Sequence, residues 1–204
     1  FASRLQKALG VPVGIIDAAL GGAEMICWVP EQKLRQEYGE VLDSSWRQSP
    51  FITPWHKECV EGNLGERHLA NAHPFQPGYL FRTGVAPWLK MNVAGVVWYQ
   101  GESNTGSAGE GMLYADLLES LIGQWRVDLG DSRLPFFVLQ LASPLTGGPR
   151  KDAWRAVQDA QCRVAERCPF VTCIRTEDIC ETDKGVYTVD FGQNRAGAVW
   201  IRAR

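Results

Sequence analysis

Val93-Ala94-Gly95-Val96-Val97-Trp98-Tyr99-Gln100-Gly101-Glu102-Ser103-Asn104-Thr105-Gly106 is the stretch that decides how this chain is read. Its first half is a near-continuous apolar run rich in Val, the pattern of a strand buried on both faces. Its second half turns abruptly small and polar, with Gly101 and Gly106 bracketing Glu102, Ser103 and Asn104. A chain that changes character so sharply leaves the sheet through a loop. In an open α/β sheet, ligands bind outside the carboxyl ends of the strands. Gln100, Glu102, Ser103 and Asn104 are therefore expected at the rim of a site. The plainer alternative is a polar turn whose Asn and Ser satisfy local backbone groups. The density of hydrogen-bonding side chains beside Trp98 and Tyr99 favours the site.

Working outward, Tyr114, Leu117, Leu118, Leu121, Ile122 and Trp125 recur at helical spacing and predict a helix packed on the sheet, with Trp125 in the core. Leu134 to Leu141 predict a further buried strand. Ala153, Val157, Ala160 and Val164 predict a second amphipathic helix, followed by a short β-rich run at Phe170–Ile174. Ala196, Val199, Trp200 and Ala203 predict a final helix. Upstream, Phe1 to Leu9 read as a helix capped by Gly10. Val13 to Ala18 read as a buried strand pinned by Pro12. Gly21-Gly22 follow that strand, where glycines let the backbone approach a ligand and aim an amide at it; an ordinary turn is the alternative. Pro30 to Tyr38 predict a short polar helix, and Tyr79 to Leu89 an irregular helical turn broken by Pro87. Between about 39 and 77 no period survives, so an insertion or lid with little regular structure is expected. It holds the three histidines His56, His68 and His73, each read as a polar loop residue, with His73 the one to watch.

Strands alternating with helices argue for one α/β domain with a mostly parallel sheet and helices on both faces, a three-layer α/β/α sandwich. The net charge of -2 is too small to predict a nucleic-acid or membrane partner. No apolar stretch reaches transmembrane length. No signal peptide precedes the fold, and the first residue is not Met, so the natural N-terminus is expected to lie further upstream and secretion is left open. Six cysteines occur without a Cys-x-x-Cys pair, so no zinc site is expected. They are read as free, mostly buried thiols; one or two disulfides among the four in the last quarter are the alternative in an exported protein. Gly21-Gly22 and Gly147-Gly148 lack a Walker or Rossmann pattern, and no cofactor is expected.

Trp98-Tyr99-Gln100-Gly101-Glu102-Ser103-Asn104 resembles the signature of the sialate O-acetylesterase family, a branch of the SGNH (GDSL-like) hydrolases. Pro12–Ile16 followed by Gly21-Gly22 and Trp28 is similar to that family's second block. Tyr114 through Arg126 resembles the helix after the signature, and Leu134–Leu141 its next strand. The resemblance covers most of the chain and implies a single, partial SGNH hydrolase-like domain over 1–204, flavodoxin-like and lacking its first strand. It implies a carbohydrate O-acetylesterase of Ser-His-Asp type, with a small-molecule or glycan acetyl ester as partner. Gln100, Gly101, Asn104 and Gly22 are then catalytic, with Gly22 and an amide side chain as oxyanion donors. Gly21, Glu102, Ser103 and His73 are substrate-binding. Glu102 could equally anchor the loop.

The family's nucleophilic Ser lies in a Gly-Gln-Ser-Asn block, and no such block occurs here. The family's base is a His before the last helix. The corresponding window, Glu181 to Phe191, holds Asp183 and Asp190 but no His, and Tyr187 stands near its place. Tyrosine, with a pKa near ~10, is a poor base at neutral pH. Two other readings therefore stay open. One is a carbohydrate-binding relative that keeps the pocket without the chemistry. The other is an α/β-hydrolase-like enzyme using Ser103, although Thr105 replaces the last glycine of a Gly-x-Ser-x-Gly elbow.

Overall fold

The computed structural model describes residues 2–39, 46–49, 52–65, 71–106, 108–142, 150–175 and 197–203. The elements run α1 (Ala2–Leu9), β1 (Val13–Asp17), α2 (Glu31–Glu37), α3 (Pro54–Leu64), β2 (Gly95–Tyr99), α4 (Ala108–Leu129), β3 (Phe136–Leu139), α5 (Arg150–Arg167), β4 (Val171–Ile174) and β5 (Gly197–Ala203). They build a five-stranded sheet in the order β1-β5-β2-β3-β4. The pairs β2–β3 and β3–β4 are parallel, while β5 is antiparallel to both β1 and β2. Four strands therefore run one way and β5 the other, a mostly parallel α/β sheet. Parallel neighbours need a crossover, and α4 and α5 supply it.

The pleat decides burial. Val96 and Trp98 of β2 pair with Phe136 and Val138 of β3, and all four are fully buried. They share one core with Tyr114, Leu118, Leu121, Ile122 and Trp125 of α4 and Val157, Ala160 and Val164 of α5. The α4 stripe thus lies in the core as its spacing predicts. Val97, Tyr99, Phe137 and Leu139, on the alternate face, are only half-buried among the described residues. The apolar run of β2 comes from its central place in the sheet, with one face closed fully and the other in part.

Aromatic rings form the centre of that core. Trp98 meets Trp28 edge-on at 5.7 Å and Trp125 at 6.0 Å, and Trp125 meets Phe136 at 6.1 Å. Buried indoles need acceptors for their N–H groups. Trp98 donates to the Tyr114 hydroxyl at 3.2 Å, Trp125 to the Trp28 carbonyl at 3.2 Å, and Trp28 to the Ala18 carbonyl at 3.2 Å.

Three expectations need correction. The end of the chain is strand β5, not a helix. Ala196, Val199, Trp200 and Ala203 do fall at helical spacing, but Val199, Trp200 and Ile201 are strand formers, and the slot between β1 and β2 offers pairing on both edges. Strand β1 is not buried: it lies at the sheet edge, with Ile15 46% exposed. The segment from 39 to 77 is not without structure, because α3 occupies Pro54–Leu64. Thr53 caps it by accepting from the His56 N–H, Pro54 opens it, and Gly65 closes it at φ +67°. Tyr79–Leu89 is an irregular helical turn as expected, with a π turn at Phe81–Val85 and a 3-10 turn at Ala86–Trp88.

Arg126 fastens the end of α4 to the strand entries. Its guanidinium is buried, lies 5.7 Å over the Phe136 ring, and donates to the Leu134 carbonyl at 2.9 and 3.1 Å and to that of Pro169 at 2.8 Å. A lysine offers neither the planar fork nor the ring stacking. Arg126→Lys is expected to lower unfolding stability by roughly 2–3 kcal/mol, as buried carbonyls lose their donors. Urea unfolding followed by tryptophan fluorescence measures this.

Candidate functional site

The polar end of β2 is built around Gln100, which is fully buried. Its backbone carbonyl accepts from the Tyr114 hydroxyl at 2.6 Å and from Gln161 Nε2 of α5 at 2.9 Å. Its side-chain Nε2 donates to the Ala23 carbonyl at 3.2 Å and to Asn104 Oδ1 at 2.8 Å. Both amide hydrogens of Gln100 are thereby used within the protein. The side chain fixes the site rather than reaching into it.

Gly101 follows at φ +151°, and a Cβ there would stand 2.9 Å from Val157 Cγ1 and 3.1 Å from Leu141 Cδ1. Only glycine fits this turn between β2 and the helices. The chain then makes a 3-10 turn over Glu102–Asn104. Asn104 is buried, and its Oδ1 accepts from Gln100 and from the Met25 N–H at 3.0 Å. With the oxygen held twice, the amide orientation is set. Nδ2 donates no hydrogen bond among the described residues, and Asn104 keeps 7% of its surface exposed. It is a positioned, available donor.

The glycine turn meets this loop directly. Ser103 Oγ donates to the Gly22 carbonyl at 3.0 Å. Gly22 lies at φ +83°, and a Cβ there would stand 3.1 Å from Phe75 Cζ and from Trp55 Cη2. Gly21 is exposed at the outer corner of the turn. Trp55 is half-exposed and its ring lies 6.5 Å from that of Phe75, so an aromatic wall flanks the turn. The structure thus brings Gly21, Gly22, Gln100, Gly101, Glu102, Ser103 and Asn104 together. The Ser103 hydroxyl proton is held by a carbonyl, an arrangement that does not activate a nucleophile.

His73 lies behind the wall, its ring 4.9 Å from Phe75. Its Nδ1 accepts from the Phe75 N–H at 3.1 Å, and its Nε2 lies 3.2 Å from Asn63. Burial and the neighbouring His56 hold its pKa below the ordinary value. His68 and the window with Asp183, Tyr187 and Asp190 lie outside the described residues.

Several supporting residues escaped the sequence reading. His56 is not a polar loop residue: it is fully buried on α3, with Nδ1 3.2 Å from Glu24 Oε1 and Nε2 donating to the Phe75 carbonyl at 2.8 Å. Glu24 is buried too, and its Oε1 accepts from the Thr53 N–H at 3.0 Å and from the Thr53 hydroxyl. This buried pair anchors α3 beside the glycine turn and holds Phe75 in the wall. Thr53-Pro54, a cap and an opening proline, is the signal that could have placed His56 on a helix. Arg150, at the start of α5, donates to the Glu102 carbonyl at 2.9 Å and to Thr105 Oγ1 at 2.6 Å, clamping the loop from outside.

Glu102 and Tyr99 share a hydrogen bond. Burial pushes the Glu102 carboxyl up, and burial with the Glu102 charge pushes the Tyr99 phenol up to about 12. A carboxyl raised in the folded state stabilises the fold below its unfolded pKa and loses that contribution as pH rises through its folded value. Glu102→Gln removes this loss. Wild-type stability relative to Glu102→Gln is expected to fall from pH 4 to 7, read as the difference in urea midpoints.

The profile of the family "Carbohydrate esterase, sialic acid-specific acetylesterase" matches residues 79–202, more than half of the chain, and so takes in the whole signature loop. A sialate O-acetylesterase of Mus musculus is 27% identical over 155 residues, covering 70% of this chain and 28% of its own length. That of Homo sapiens is 25% identical over 195 residues, covering 90% and 33%. The chain thus spans only 28% and 33% of these two curated relatives. The crystal structure of a carbohydrate acetylesterase from Xanthomonas citri shares the fold, with a TM-score of 0.61 at 23% identity over 85% of this chain and 32% of that one. With its signature loop inside the matched region, this chain belongs to the sialic acid-specific acetylesterase family of carbohydrate esterases.

Proposed function

We propose that the protein carrying this chain hydrolyses O-acetyl esters on sialic acid or a related sugar, and that the chain supplies the oxyanion and substrate-positioning half of the site. The observation that carries this reading is the pinned Asn104 amide, whose Oδ1 is held by Gln100 Nε2 and the Met25 N–H while Nδ2 stays available. Attack on an acetyl carbonyl places negative charge on its oxygen. A donor already fixed stabilises that charge without reorganising at the moment of reaction. The Gly22 N–H, on the turn tied to the same loop through Ser103, is the second donor. Family membership and the named relatives support the acetyl ester as substrate. Gln100 and Gly101 act by holding Asn104, and Gly21, Glu102 and the Trp55–Phe75 wall shape the sugar side. The Ser nucleophile and its base are not assigned among the described residues.

The test is acetate release from acetylated sialic acid or 4-nitrophenyl acetate by the full-length protein. Asn104→Ala is expected to lower kcat by ~10²–10³ with KM little changed, the usual loss of one oxyanion donor. Ser103→Ala, which removes one loop tether worth about 1 kcal/mol, is expected to lower it no more than tenfold. A Ser103 nucleophile would instead lose nearly all turnover. Sugar binding without acetate release would favour a binding relative, the reading that the His-free window Glu181–Phe191 motivates.

A further inference from the structure

Behind the site, α5 and β4 bring two cysteines together. Cys162 Sγ on α5 and Cys173 Sγ on β4 lie 3.0 Å apart. A disulfide measures about 2.05 Å, so closure needs a movement of roughly 1 Å. Gln140 Nε2, just past β3, donates to Cys162 Sγ at 3.3 Å. The thiols are also within reach from outside. Cys162 opens into a cleft with Gln140, Arg155, Arg163 and Arg175, and both cysteines line a second, shallower one. Cys27, by contrast, is fully buried, and Cys59 lies away on α3.

We propose that Cys162 and Cys173 are a disulfide-forming pair that staples α5 to β4. The oxidant is an organic disulfide such as oxidised glutathione. The Cys162 thiolate, facing both clefts, attacks one sulfur of that disulfide, forming a mixed disulfide and releasing one thiol. Cys173 loses its proton and attacks Cys162 Sγ, the protein disulfide closes, and the second thiol leaves. The two cysteine sulfurs give up two electrons and two protons, and the organic disulfide is reduced to two thiols. Burial, with the neighbouring Cys162 thiol, pushes the Cys173 pKa up to about 12, which leaves little thiolate at neutral pH and makes its attack the slower of the two steps.

The staple bears on the signature loop through α5. One turn of this helix carries Gln158, which donates to the Leu141 carbonyl at 2.6 Å, and Gln161, which donates to the Gln100 carbonyl and accepts from the Leu141 N–H. Cys162 is the next residue. Oxidation therefore locks the helix that holds the end of β2. It also fixes β4, the last described strand before the sequence window where the family's base is expected.

The deciding experiment equilibrates the full-length protein in mixtures of reduced and oxidised glutathione, blocks free thiols, and maps tryptic peptides without reduction. The expected product joins peptides 156–163 and 168–175 with loss of two hydrogens, and fragment ions between Cys168 and Cys173 place the link on Cys173. Its fraction rises with the share of oxidised glutathione, and the Tm rises by roughly 5 °C. Cys162→Ser and Cys173→Ser each abolish both changes, while Cys168→Ser keeps them. Glutathione adducts alone, a link to Cys59, Cys168 or Cys180, or two alkylated thiols at every ratio would overturn the proposal. The wild-type peptide map decides the matter even where a variant fails to fold.

Discussion

The double hold on Gln100 is the constraint on which the site depends. Its carbonyl is gripped by α4 through Tyr114 and by α5 through Gln161, and its side chain ties the glycine turn to Asn104. Three of the four polar groups involved, the Gln100 carbonyl, its Nε2 and Asn104 Oδ1, are paired, while Gln100 Oε1 is buried without a hydrogen-bond partner among the described residues, a local cost of about 1–3 kcal/mol that the rest of the network offsets. The aromatic core leads straight into it. Trp98, packed between Trp28 and Trp125, donates to the same Tyr114 hydroxyl that donates to Gln100. Core packing and site geometry are thus one continuous structure, and disturbing the tryptophans would loosen Asn104.

A second anchor stands on the other side of the glycine turn. Glu24 and His56 are buried together, and the pair joins α3, the Thr53 cap and the Phe75 carbonyl into one unit. Removing one partner leaves buried polar atoms of the other without their contact, a loss of about 1–3 kcal/mol. The benefit is positional. Phe75 and Trp55 stand against Gly22, whose φ of +83° and close approach to both rings favour glycine, so the turn presents bare backbone beside an aromatic wall. This suits an amide donor next to a sugar-facing surface.

Much of this was legible in the residues. Val96 to Asn104 read as a strand ending in a polar rim and the α4 stripe reads as core, while only the family resemblance groups Gly22 with the signature amides. The misses have physical causes. His56 looked like a loop residue because α3 lacks a strong apolar period and is held by its cap and by the buried Glu24–His56 contact, which no local pattern displays. The end of the chain read as helix because its apolar residues fit that spacing, while its strand state comes from backbone partners on β1 and β2 far away in sequence. The Cys162–Cys173 proximity was one of several open pairings, since spacing alone does not say which residues of α5 face β4.

The sequence by itself determined the α/β class, the sheet-to-loop junction and the chemical identity of the signature, because these rest on local periodicity and on residue types within a few positions of one another. The tertiary structure alone decided the strand order, the direction of β5 and the division of labour between two neighbouring amides. Gln100 and Asn104 are chemically alike. One is spent on internal acceptors and the other keeps a free donor, because only the fold brings the Ala23 carbonyl to the first and the Met25 N–H to the second.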